Sequence, residues 1–338
     1  MLLRTIDFFD RFQCTADKCS DTCCAGWQVD IDNKTLAKYK KLGKNNHFAK
    51  EILQNIEDGH FKLMAHDRCP LLTDNGLCKI ICNCGESYLS DICREHPRFV
   101  EVYGDIMEKG IGLCCEEGAK LLLGCKLPFR YNEKNCNEKA DKITHEITIA
   151  RDNILDNREQ MLQLIASPKI SLHSTLRHIF DIEDISNRAC NLEPGDIIKH
   201  WIRAIDQCES FGPAWDLAIK RIYQKIDGCG VVNLRPLFSE TDGKKIVSYM
   251  IFRYYAKCLF DGDSLGKVKF ATFFWIILKN FEHELSDGAQ SIKNKKINAI
   301  KLLSKQLEYS EEVLDKLNSH FKKSKYFSSG CFKRLLTT

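Results

Sequence analysis

Cys14, Cys19, Cys23 and Cys24 open a run of thiols that continues with Cys69, Cys78, Cys82, Cys84 and Cys93 and then Cys114 and Cys115. Thirteen of the eighteen cysteines precede Asn137. Thiolates at this density are the usual protein means of holding zinc or an iron–sulfur cluster, because sulfur donates strongly to thiophilic metals. Spacing discriminates between the two. No pair has the Cys-x2-Cys separation of a zinc knuckle, and the histidines are scattered singly. The close pairs are Cys19-x3-Cys23 and Cys78-x3-Cys82, so ligands must be gathered from separated loops inside a sheath that Phe12 and Trp27 make partly aromatic. That pattern favours iron–sulfur, with zinc as the alternative metal. The Cys-x3-Cys-x2-Cys run of radical S-adenosylmethionine enzymes is approached twice and never completed, because Gly26 and Gly85 stand where the third cysteine belongs.

The elements that must position these thiols are short. From the start to about Leu127 the chain reads as loop-rich, with a brief alternating strand at Trp27 to Ile31, a helix over Thr35 to Leu42, and a β-hairpin of Phe99 to Tyr103 and Ile106 to Leu113 about Gly104-Asp105. Glu116 to Leu123 has helical periodicity and ends at Gly124. Gly110-Ile111-Gly112 precedes that helix without the βαβ alternation of a nucleotide-binding turn, so it reads as hairpin backbone. A polar stretch, Asn132 to Lys142, follows. Beyond it the spacing predicts helices at Ile143 to Ile165, Pro168 to Phe180, Pro194 to Phe211, Pro213 to Ile226, Lys244 to Phe260, Lys267 to Leu285, Ile292 to Leu307 and Glu311 to Phe321.

The expected fold is mainly α. A loop-rich cysteine domain with a short hairpin spans 1–127, a linker spans 128–142, and an α-helical domain spans 143–338. Trp201, Ile205, Trp215, Ile219 and Ile222 recur at helical spacing and read as core. Cys190, Cys208, Cys229, Cys258 and Cys331 read as small buried hydrophobes or incidental thiols.

Composition excludes other classes. Fifty basic residues against 46 acidic ones leave +4, too small a surplus to argue for nucleic acid by itself. The lysines at 293, 295 and 296, and at 322, 323 and 325, read as solvated helix faces. Met1 to Arg11 carries Asp7 and Asp10 and lacks the apolar core of a secretory signal, and the longest apolar run, Phe270 to Leu278, is too short to span a bilayer. A cytoplasmic location follows as an expectation, and with it reduced thiols rather than structural disulfides.

Several motifs recur together in one order: Phe12-Gln13-Cys14; Cys19-Ser20-Asp21-Thr22-Cys23-Cys24-Ala25-Gly26-Trp27; Arg68-Cys69-Pro70-Leu71-Leu72; Gly76-Leu77-Cys78; Gly85 through Cys93; His96-Pro97-Arg98; and Leu113-Cys114-Cys115 with Glu117. The set resembles the flagellin lysine-N-methylase family of motile bacteria, over roughly the first third of the chain. That stretch is also similar to a broader group of small bacterial eight-cysteine proteins described as zinc- or iron-chelating. The resemblance implies an enzyme that methylates lysine ε-amino groups of flagellin before export, using S-adenosylmethionine and a [4Fe–4S] cluster. Carried over by position, the family cysteines are Cys14, Cys19, Cys23, Cys24, Cys69, Cys78, Cys93 and Cys115. The chain departs from the pattern by adding Cys82 and Cys84, and by placing Cys114 and Glu116 where serine and proline are typical.

Such a reaction needs a neutral amine, whereas free lysine, with a pKa of about 10.4, is almost wholly protonated at neutral pH. The ammonium must be desolvated or given a proton acceptor. Glu86, Tyr88 and Asp91, beside Cys93, are the candidate catalytic residues, and Arg94, Arg98 and Trp27 the candidates for holding the methyl donor or cluster. The plainer alternative gives Glu86 and Asp91 backbone hydrogen bonds near the metal, and lets Asp21 cap a turn.

Overall fold

The computed structural model describes residues 1–22, 24–25, 29–43, 46–65, 68–186, 189–228, 235–286 and 291–337, and helices dominate them as expected. Their strands are β1 (Leu2–Ile6), β2 (Ile56–Glu57), β3 (His60–Phe61), β4 (Arg98–Tyr103), β5 (Ile106–Ile111) and β6 (Tyr131–Asn135). The hairpin of β4 and β5 forms about Gly104, whose φ of +71° suits glycine at the turn. No helix among the described residues is long and apolar enough to cross a membrane.

The chain divides into two units, and the division is discontinuous. One unit comprises Met1–Phe12, Val100–Cys114 and Gly118–Thr338, and the other Gln13–Phe99 with Cys115–Glu117. This division does not fall at the linker expected at 128–142. The polar stretch there supplies β6, which runs antiparallel to β1 from Leu2↔Asn135 to Ile6↔Tyr131, while β1 pairs in parallel with β5 from Leu2↔Ile106 to Thr5↔Lys109. The amino-terminal strand and the hairpin therefore belong with the helices, in a sheet of order β4-β5-β1-β6.

The cysteine-bearing unit contains α1 (Asn33–Lys41), α2 (His47–Gln54), α3 (Lys79–Cys84) and α4 (Asp91–Glu95). Asp32 caps α1 by accepting the Thr35 N–H at 2.8 Å, and Asn46 and Ser90 cap α2 and α4. Their apolar faces meet in a core of Val29, Ile31, Tyr39, Ile52, Phe61, Leu71, Ile80 and Leu89. Of the strand expected at Trp27 to Ile31, Trp27 and Gln28 lie outside the described residues, and Asp30 makes only an isolated bridge to His60.

After α5 (Glu116–Gly124), the larger unit is built from α6 (His145–Ala166), α7 (Leu172–Glu183), α8 (Pro194–Asp206), α9 (Pro213–Ile226), α10 (Glu240–Tyr254), α11 (Cys258–Asp261), α12 (Ser264–Asn280), α13 (Ile292–Glu308), α14 (Glu311–Lys323) and α15 (Ser329–Leu335). Helix α12 is buried nearly all round and packs against α7, α10, α14 and α15. The expected core residues Trp201, Ile205, Trp215, Ile219 and Ile222 are all buried.

Capping accounts for most displaced boundaries. Ser171, not Pro168, opens α7, and the Ser239–Asp242 capping box starts α10 before Lys244. Asp263 accepts the Gly266 N–H at 2.9 Å and starts α12 before Lys267. Helix α10 gives way to a 3-10 turn at Tyr255–Lys257, so the single helix expected to reach Phe260 is broken.

Candidate metal centre

Three loops bring thiols to one wall of the smaller unit's core. Thr73 to Leu77 turns the chain back on itself: the Thr73 N–H donates to Leu77 O at 2.8 Å, the Gly76 N–H donates to Thr73 O at 3.0 Å, and Gly76 takes a φ of +76°. The reversal sets Cys78 opposite Leu72, just beyond Cys69. The Cys69 N–H donates to Cys24 O at 3.1 Å, tying the first cysteine group to the second. Ser90 accepts the Cys93 N–H at 3.3 Å and so fixes Cys93 in the short helix α4. Cys69, Cys78 and Cys93 are partly buried and pack, with Tyr88, against the core.

These thiols lie within electrostatic reach of one another. Burial pushes Cys93 up to about 12, and Cys24, Cys69 and Cys78 add to that rise; burial pushes Cys69 up to about 11, with Cys24 and Cys78 adding. Cys78 is raised by burial, with Cys24 and Cys82 contributing. Against burial, each of the three has donors that favour its thiolate form. They are the Ser90 hydroxyl at Cys93, the Leu71 N–H at Cys69, and the Ile81 and Ile80 N–H groups at Cys78. N–H and O–H donors at sulfur are a standing feature of thiolate metal centres, where they stabilise the bound charge.

Tyr39 is fully buried, and among the described residues its hydroxyl has no hydrogen-bond partner. Burial raises its pKa, and Cys93 and Cys78 add to the effect, which places the phenol beside the same thiols. An unpaired buried hydroxyl costs about 1–3 kcal/mol. A thiolate-bound centre would give it an acceptor. Donor type, burial and this orphaned hydroxyl all fit a sulfur-ligated metal, although among the described residues no three His, Cys, Asp or Glu side chains are grouped so as to hold an ion in the present arrangement. The thiols stand as protonated neighbours rather than as a closed ligand set.

The other expected residues are placed as follows. Cys23 and Trp27 lie outside the described residues. Cys14 is exposed, and its sulfur accepts the Ala16 N–H at 3.4 Å. Cys19 donates to Glu116 Oε2 at 3.7 Å, and Ser20 donates to the same oxygen from its N–H at 2.9 Å and its hydroxyl at 2.5 Å. Glu116, a departure from the family pattern, thus anchors the Cys19–Ser20 turn. Cys115 belongs to the same unit, whereas Cys114 belongs to the helical unit and bonds the Tyr309 hydroxyl.

Glu86 is exposed in a 3-10 turn after Gly85, whose φ is +84°, and Tyr88 packs beside the thiols. Asp91 pairs with Arg94 at 2.8 Å, Arg94 also donates to Leu89 O at 2.8 Å, and Arg98 donates to Arg94 O at 3.3 Å. These bonds hold α4 and its flanks. Asp21 accepts the Thr22 N–H at 2.7 Å, as a turn cap does. In the larger unit a cavity of about 350 Å³ is lined by Arg4, Phe129, Tyr131, Asp156, Arg158 and Glu159 among others, and by none of the expected site residues.

Sequence reasoning missed Tyr39 and Glu116. Tyr39 was detectable only as the partner of Thr35, one turn earlier on the inward face of α1.

No family model matches the chain, and no solved structure gives a match. Among curated proteins, the chain is 30% identical over 137 residues to a lysine-N-methylase of Salmonella typhimurium, covering 38% of this chain and 34% of that protein. A lysine-N-methylase of Salmonella choleraesuis is 29% identical over 137 residues, again with 34% of its length covered. The match thus spans about a third of these relatives. The flagellar biosynthetic protein FliU of Salmonella muenchen is 30% identical over 126 residues, which cover 34% of this chain and 73% of that protein. With most of that relative's length matched, the chain belongs to the flagellin lysine-N-methylase family.

Proposed function

We propose that the protein is an S-adenosylmethionine-dependent protein-lysine N-methyltransferase acting on flagellin in the cytoplasm, with a [4Fe–4S] cluster held by Cys24, Cys69, Cys78 and Cys93. The observation that carries this reading is that Cys69, Cys78 and Cys93 pack against one hydrophobic core within electrostatic reach of Cys24, the three already supplied with donors to sulfur. The names of the relatives support the reaction class. A cluster held there would supply one-electron chemistry, tuned by burial and by hydrogen bonds to sulfur.

The chain's own residues do the rest. Tyr39 would supply a hydrogen-bond donor to a centre held by these thiols. Tyr88 packs on the same core as the thiols, and exposed Glu86 would accept the proton that the substrate ammonium must lose. The Asp91–Arg94 pair and Arg98 present charge for the amino-acid head group of the methyl donor. The helical unit recognises the protein substrate.

The test is anaerobic purification followed by metal analysis and a methylation assay with flagellin and S-adenosylmethionine. Brown, oxygen-sensitive protein that forms methyl-lysine upholds the reading. Colourless, zinc-loaded protein without methylation supports the alternative of a non-catalytic metal-binding protein.

A further inference from the structure

In the helical unit, two cysteines that are 141 residues apart in sequence meet: the Cys190 and Cys331 sulfurs lie 2.9 Å apart. Their reading as incidental thiols is therefore revised. Cys331 sits in α15, fully buried, and is held from both sides: the Ser328 hydroxyl donates to its sulfur at 3.2 Å, and its thiol reaches Lys325 O at 3.2 Å. Cys190 lies in the connection between α7 and α8 and is only partly buried, so it is the member that solvent reaches. Cys208, by contrast, donates to Ala204 O of its own helix at 3.3 Å.

We propose that Cys190 and Cys331 are a redox-responsive dithiol, closed to a disulfide by a peroxide. An S–S bond is about 2.05 Å long, so the sulfurs need to approach by less than about 1 Å. Cys190 attacks the O–O bond first, because it is the accessible member. Its sulfur is oxidised to a sulfenic acid, and the released hydroxide leaves as water with the thiol proton. The Cys331 sulfur then displaces the hydroxyl, so that the S–O bond breaks, the S–S bond forms and a second water leaves with the Cys331 proton. The two thiols together give up two electrons and two protons, and the peroxide is reduced to water. Burial pushes Cys331 up to about 11, which keeps it protonated and unreactive until its neighbour is oxidised. The bond would join the α7–α8 connection to α15, whose Phe332 stacks on Phe180 with ring centres 5.2 Å apart and packs on Trp201 at 4.6 Å.

The experiment uses full-length protein, reduced anaerobically, treated with hydrogen peroxide, alkylated and mapped by mass spectrometry. A peptide joining Cys190 to Cys331, reversed by a thiol reductant, is expected. The melting midpoint should rise by about 5 °C on oxidation. Cys190→Ser, at the more accessible position, should lose both the cross-link and the shift while still folding. Recovery of Cys190 as sulfinic acid or joined to another cysteine, with Cys331 still open to alkylation after unfolding, would overturn the proposal. So would both thiols surviving doses that oxidise exposed Cys82.

Discussion

Cys69 is the residue on which the proposed metal centre turns, because its N–H is tied to Cys24 and its sulfur is within electrostatic reach of both Cys24 and Cys78. Cys69→Ser should lower bound iron at least about 10-fold and abolish flagellin methylation with it, whereas Cys208→Ser, in the helical unit, should change neither. Iron and sulfide assays beside the methylation assay check both outcomes. Tyr39→Phe makes a sharper test, since two effects should move in opposite directions. Removing an unpaired buried hydroxyl should stabilise the metal-free protein by about 1 kcal/mol in urea unfolding. The same change should hasten loss of the cluster to a chelator about 10-fold. The thiol-rich character of this unit was legible in the sequence, but the set of four was not. They are spread through the sequence from Cys24 to Cys93, and their approach depends on the Gly76 turn and the Ser90 cap rather than on spacing along the chain.

Among the elements, helices were found wherever apolar residues recur at helical spacing, and α9 began at Pro213 as expected. Starts were less legible, because a capping side chain one turn upstream outweighs the first apolar residue, as Ser239 does for α10. Lys296, read as part of a solvated face, instead pairs with Asp242 of that capping box at 2.7 Å. Burial would raise the Asp242 carboxyl, but Lys296 and Ser239 overcome it and hold the group below its ordinary value of 3.8. Stability from a depressed carboxyl is fully present above the ordinary value and is lost as pH falls through the folded one. Wild-type protein should therefore lose stability on acidification below about pH 4. Asp242→Asn should begin about 1 kcal/mol less stable at neutral pH and lose less over the same range. Urea titrations at neutral and acid pH decide the sign.

At the scale of the whole molecule, the discontinuous division was hidden because β1 takes its partners from positions more than 100 residues away, and parallel pairing leaves no local turn signal. The same sheet presents Glu108 to Arg158 of α6 in a fully buried bidentate pair, at 2.6 and 2.7 Å, with Arg158 also donating to Phe252 O at 3.1 Å. Arg158→Met should cost about 3 kcal/mol in urea unfolding, because it removes the bidentate partner and leaves buried Glu108 with only Arg4, 3.5 Å away, as a counter-charge. A loss below about 1 kcal/mol would mean that water reaches the carboxylate.

The most direct measurement is iron and acid-labile sulfide per chain in anaerobically purified wild-type protein and in Cys69→Ser, prepared side by side. The expected result is about four of each in the wild type and next to none in the variant. Wild-type protein that carries zinc and no sulfide, or a variant that keeps its iron, would contradict a four-thiol iron–sulfur centre at Cys24, Cys69, Cys78 and Cys93.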